Sequence, residues 1–202
     1  MNYLAIDTSG KNLTIVLSVN GKKYIHNDNA GGVTHAVGLM PNVERLFLQA
    51  DFSPKDLDFL ACVVGAGSFT GIRIGVSTVK GLCFAYNKPC LAITSFDTIA
   101  YNKQNEKTLA VIDAKHNGYY VCGYQNNAVC YPPTYLLKDQ VLELSKQFKI
   151  LSCDNLIDFD YEKVNVVDGL VKAVEEKKDQ VSFDLESLVP LYVRKSQAEE
   201  GR

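Results

Sequence analysis

The sequence has no tryptophan, only three histidines, and no apolar run near the ~20 residues that a membrane-spanning helix needs. His26, His35 and His116 lie far apart, so no His-x-x-x-His metal pair can form from neighbouring helical positions. No Gly-x-Ser-x-Gly elbow is present, which removes the usual hydrolase nucleophile. The six cysteines (Cys62, Cys83, Cys90, Cys122, Cys130, Cys153) stand singly, mostly inside apolar segments. None has Cys-x-x-Cys spacing, so buried, reduced thiols are expected rather than zinc ligands, which suits a cytoplasmic protein. Charge of one sign is also missing. Lysine and arginine number 21 against 23 acidic residues, a net charge of −2, with no basic tract. A chain that grips nucleic acid unaided needs a basic face for the phosphates, so contact with RNA is expected only with help. The opening Met1–Asp7 has neither a basic region nor a small-residue cleavage site, and no export signal is expected.

What is present reads as an ordinary globular α/β chain. Leu4-Ala5-Ile6 is a strand closing on the turn formers Asp7-Thr8-Ser9-Gly10. Leu13–Val19 and Lys22–His26 follow as strands around Asn20-Gly21, a strong hairpin signal. Apolar residues at helical spacing predict a helix over His35–Ala50, with Thr34 as its cap and Pro41 as a kink or the true start. Ser53-Pro54-Lys55-Asp56 is a short-helix signature. Phe59–Val64 reads as a buried strand, Thr70–Tyr86 as a second long helix, Cys90–Ile93 as a strand, and Ser95–Tyr101 as a short helix. This βββαβαβ order is close to a ribonuclease-H-like unit. The pattern then restarts: Leu109–Asp113 echoes Leu4–Asp7, and Tyr119–Tyr124 and Ala128–Cys130 complete a second meander. A helix over Leu136–Phe148, a strand at Ile150-Leu151 and a helix near Leu170–Lys178 close it. Two copies of one α/β unit with mixed sheets are expected, divided into residues 1–103 and a shorter, truncated 104–202.

Three features bear on chemistry. Asp7, Thr8 and Ser9 sit at the carboxyl end of a strand, where α/β folds build sites; they would either meet a phosphate or metal, or simply close a turn. Gly65-Ala66-Gly67-Ser68-Phe69-Thr70-Gly71 joins a strand to a helix but lacks the terminal Gly-Lys-Ser/Thr of a P-loop and the third glycine of a dinucleotide loop. The helix after it has a small-residue stripe of Gly71, Gly75, Thr78, Gly81 or Leu82, and Ala85. A helix-interior glycine costs ~1 kcal/mol, so close approach of another helix is expected, from this chain or from a partner.

These residues resemble the TsaB (YeaZ-like) family, in the glycoprotease-like superfamily. The likeness rests on Leu4-Ala5-Ile6-Asp7-Thr8-Ser9, the His35-Ala36…Leu39-Met40-Pro41 segment, and above all Gly65–Val76. Ile112-Asp113-Ala114 and Val189–Arg194 agree. Ala66 stands where the family usually has proline. The resemblance implies an actin/Hsp70/sugar-kinase (ASKHA) fold of two ribonuclease-H-like halves. It implies a non-catalytic subunit in forming threonylcarbamoyladenosine beside the tRNA anticodon. The expected partners are TsaD, the transferase, bound directly, and the ATPase TsaE in the complex. ATP and a metal ion belong to that complex rather than to this chain, tRNA is met through it, and a homodimer is the alternative when the chain is alone. The implied contact is made by the two long helices, at His35, Leu39, Val43, Gly71, Gly75, Thr78 and Gly81, with Arg73 and Lys80 at the rim. The rival reading is an actin-fold ATPase or small-molecule kinase using Asp7 and Asp113. Peptide hydrolysis has no support in the residues.

Overall fold

The computed structural model describes residues 1–29 and 35–194. It contains two five-stranded mixed sheets with the same internal order. In the first, Tyr3–Asp7 (β1) pairs antiparallel with Asn12–Val19 (β2), which pairs antiparallel with Lys22–Asn29 (β3). Asn20 and Gly21 both take positive φ, as the tight turn between β2 and β3 requires. On its other side β1 pairs parallel with Phe59–Val63 (β4), and β4 with Cys90–Ile93 (β5). Every residue of β1 and β4 is buried, which is why both read as continuous apolar runs rather than alternating ones.

Helices His35–Ala50 (α1) and Phe69–Tyr86 (α2) connect these strands. Pro41 neither starts nor ends α1, and the side chain of the next residue, Asn42, donates to Gly38 O at 2.8 Å. The expected cap Thr34 lies outside the described residues. Ser68 caps α2, its hydroxyl accepting from Gly71 N at 3.2 Å, and Asn87 ends it in the left-handed region. Pro54–Asp56 forms a 3-10 turn capped by Ser53.

The second sheet repeats the plan. Thr108–Lys115 (β6), Gly118–Gln125 (β7) and Ala128–Leu137 (β8) form the meander, and Lys149–Ser152 (β9) and Glu162–Lys163 (β10) add in parallel. Strand β8 does not stop before Pro132-Pro133 as the sequence suggested. It is an edge strand, so prolines there lose no ladder bond on the open side. The helix after it is correspondingly shorter, Lys138–Ser145 (α4). The truncation falls elsewhere: β10 has two residues, and no helix joins β9 to β10 among the described residues, so the second half has no counterpart of α2.

The division between units is not a single cut at residue 103. Ser95–Ala100 (α3) belongs with the second unit, where Tyr124 donates to the buried Asp97 at 2.9 Å. Conversely, residues 174–191 return to the first unit. Ser182 there pairs with Cys90, Leu191 N donates to Val64 O at 2.7 Å, and Leu188 is fully buried in the first core. The dividing point lies within Val166–Lys177 (α5). Gly169, beside Asp168, lies inside α5, and a β-carbon there would lie 1.7 Å from Thr98 O of α3. Its role is close helix crossing.

Candidate functional site

The turn after β1 is built from bonds within the chain. Asp7 Oδ1 accepts from both Ser9 N (2.8 Å) and Ser9 Oγ (2.6 Å). Thr8 is fully buried, and its hydroxyl donates to Gly71 O at 2.7 Å. Ser9 O in turn accepts from Ser68 N at 2.8 Å, which fixes the loop before α2. Gly67 has φ 150°, and a β-carbon on it would lie 2.4 Å from Ser9 O, so only glycine fits. Burial pushes the Asp7 carboxyl above the usual carboxylate range, opposed by its two bonds from Ser9 and by His35. The Thr8 and Ser9 hydroxyls and the Ser9 amide are thus hydrogen-bonded within the chain. Asp113, in the second unit, is likewise engaged: it is ion-paired with Lys115, accepts from Lys115 N at 2.8 Å, and donates its own N–H to Asp154 at 3.0 Å. Among the described residues, no group of three or more His, Cys, Asp or Glu side chains is arranged to hold a metal.

The two long helices show a different division of labour from the one their spacing suggested. Leu39 and Val43 are 1% and 3% exposed and belong to the chain's own core. Gly71 and Gly75 are buried too. A β-carbon on Gly71 would lie 2.0 Å from Thr8 O, and one on Gly75 2.4 Å from Thr8 Oγ1. These two glycines let α2 lie against the end of β1, so they are not a seam for another molecule. Gly81 is six positions beyond Gly75, about 240° further round the helix. It is exposed with nothing within 4 Å. Thr78 is half-buried; Arg73 is exposed with its guanidinium 4.2 Å over the Phe69 ring; Lys80 lies 4.0 Å from Glu186. His35 Nε2 is turned to Gly10 O at 3.0 Å.

The outward faces carry apolar residues the sequence reading passed over. Val37, Met40 and Leu48 of α1 are 66%, 46% and 75% exposed, and Phe84 of α2 is 84% exposed. Val37, Met40 and Leu48 fall on one stripe at helical spacing. The available signal at Phe84 was a large apolar residue at helical spacing from Arg73, Ser77 and Lys80, on the polar side of α2. Where α1, the 3-10 turn and the end of α2 meet, a groove of about 870 Å³ opens, floored by Leu4, Leu57 and Leu60.

The cysteines depart from expectation at two positions. Cys62, Cys83, Cys90 and Cys122 are buried, but Cys130 is exposed on β8 and Cys153 is half-buried. Among the described residues, no helix is long and apolar enough to cross a membrane.

Comparison with known proteins agrees with this architecture. The family model for TsaD, tRNA N6-adenosine threonylcarbamoyltransferase, matches residues 18–150. A tRNA threonylcarbamoyladenosine biosynthesis protein TsaB from Bacillus subtilis is 34% identical over 127 residues, covering 62% of this chain and 56% of that one. The protein of the same name from Haemophilus influenzae is 30% identical over 124 residues, covering 59% and 52%. The chain thus spans about half the length of the curated relatives it matches. YeaZ from Pseudomonas aeruginosa has the same fold, with a TM-score of 0.73 at 21% identity over 95% of this chain and 99% of that one. Model, relatives and fold agree: the chain belongs to the tRNA N6-adenosine threonylcarbamoyltransferase family, in its TsaB/YeaZ group.

Proposed function

We propose that the chain works in tRNA threonylcarbamoyladenosine biosynthesis as a subunit without chemistry of its own. It binds the transferase TsaD through the outer faces of α1 and α2 and supports that enzyme's activity, with TsaE joining the complex. The observation that carries this reading is the exposure of large apolar side chains on the two helices, Val37, Met40 and Leu48 in one stripe on α1 and Phe84 on α2. Such residues are costly to leave in water, and a stripe of them on a helix marks an interaction surface. The internally bonded Asp7 turn and the ion-paired Asp113 support placing nucleotide and metal on the partner's side.

The test is threonylcarbamoyl transfer to tRNA, reconstituted with TsaC, TsaD and TsaE of the same organism, with the chain present, absent, or carrying Phe84→Asp. Product that depends on the chain and falls at least tenfold with Phe84→Asp, at unchanged thermal stability, supports the reading. Equal product without the chain overturns it.

A further inference from the structure

The duplicated plan gives the edge strands β3 and β8 the same place in their sheets, yet only one of them is closed to further pairing. Strand β8 carries Pro132 and Pro133, which have no N–H to offer, and its ladder with β7 is interrupted by register shifts. Strand β3 has neither device. Its eight residues, Lys22–Asn29, pair with β2 in an unbroken register, and among the described residues no strand covers its outer edge. The side chains along it are ordered by charge. Lys22 and Asp28 are both exposed and lie on one face of the strand, with Lys22 over the Tyr24 ring at 4.7 Å. Among the described residues neither is in an ion pair. Tyr24 and His26 stand between them on that face, and Ile25, midway, is 46% exposed on the other.

We infer that β3 pairs antiparallel with β3 of a second copy of this chain, joining the two five-stranded sheets edge to edge. In an antiparallel pair, opposite residues share a face of the sheet. A two-fold axis normal to the sheet then sets one residue against its own copy. With Ile25 at that position, each neighbour meets a fitting mate. Tyr24 meets His26, Lys23 meets Asn27, and Lys22 meets Asp28, each twice over by symmetry. The two charges without an ion pair in one chain are thereby paired, and an apolar pair sits at the centre. Lysine at a sheet edge ordinarily repels a like edge. Here Asp28 removes the repulsion, because it stands as far from Ile25 on one side as Lys22 does on the other. The contact uses no residue of α1 or α2, so it does not rest on the proposed docking to TsaD.

The experiment uses the full chain alone. Sedimentation equilibrium from about 1 µM to about 1 mM spans the affinities of a contact in this small class. Lys22→Asp, Asp28→Lys and Phe84→Asp are compared with wild type, and melting temperature controls for folding. The wild-type chain is expected to dimerise. Lys22→Asp and Asp28→Lys each set like charges opposite one another, and each should weaken the dimer about tenfold. Mixed in equal amounts, the two variants are complementary again, and a heterodimer of near wild-type affinity should form. Restoration on mixing requires Lys22 to face Asp28 of the other copy, and so it reports the register as well as the surface. A chain that stays monomeric throughout the range overturns the inference. So does a dimer that survives both charge variants, or a mixture that stays monomeric. A dimer dispersed by Phe84→Asp and untouched by the charge variants places the second copy on the helices and likewise overturns it.

Discussion

Gly75 of α2 faces the hydroxyl of Thr8, and a β-carbon at that glycine would lie 2.4 Å from Thr8 Oγ1. The same hydroxyl donates to Gly71 O at 2.7 Å, so one threonine occupies the notch that two glycines leave. Thr8 is fully buried, and nothing flexible is available to yield. Gly75→Ala is therefore expected to destabilise the chain by about 1–3 kcal/mol, against the usual gain of alanine over glycine in a helix. Urea denaturation measures the loss. Pairing it with Thr8→Ala should recover part of it, because that change removes the clashing oxygen; strictly additive losses would show that the contact is not the cause.

Gly81 gives the opposite sign. It lies in the same helix, exposed, with nothing within 4 Å. Gly81→Ala should raise stability by about 0.5–1 kcal/mol, since only the backbone entropy of glycine changes. If the outer face of α2 packs closely on a partner, the same substitution should weaken TsaD binding. The two readouts then move in opposite directions, and unchanged affinity would place the contact away from Gly81.

Asp7 predicts a pH dependence. Burial raises its folded-state pKa, so the fold binds the protonated carboxyl more readily than the unfolded chain does. Its contribution is fully present below the unfolded pKa and is lost as pH rises through the folded one. Asp7→Asn retains an oxygen for the two bonds from Ser9 and removes the buried charge. The variant should melt a few degrees above wild type near neutral pH, with the difference vanishing in acid. A variant that melts lower at neutral pH would show that the charge itself stabilises the turn.

Thiol accessibility separates the cysteines. Cys130 is exposed and Cys153 half-buried, whereas Cys62, Cys83, Cys90 and Cys122 are buried. Burial also pushes the Cys83 thiol up to about 12, far from the reactive thiolate. A thiol reagent at neutral pH should label Cys130 first and Cys153 more slowly, and the other four only on unfolding. Cys130→Ser should remove the fast phase, as read by mass spectrometry.

The order of most elements along the chain, the duplicated plan and the glycine-rich loop before α2 were legible in the sequence because each is a local signal. Continuous apolar runs mark β1 and β4, and Asn20-Gly21 marks a two-residue turn. The edge position of β8 was not legible. Proline is a breaker in a central strand and harmless at an edge, and only the sheet order tells the two apart. Spacing along α2 showed that small residues recur, but not what lies beside them. Gly71 and Gly75 meet Thr8, sixty-odd residues away in the chain, whereas Gly81 faces outward. Leu39 and Phe84 are equally apolar as letters, yet one lies in the core and the other is 84% exposed. Which face of a helix is buried depends on where the sheet stands. The sequence by itself determined the kind of elements and their order. The tertiary structure decided which of their faces remained for a partner, because burial is a property of neighbours brought together across the chain.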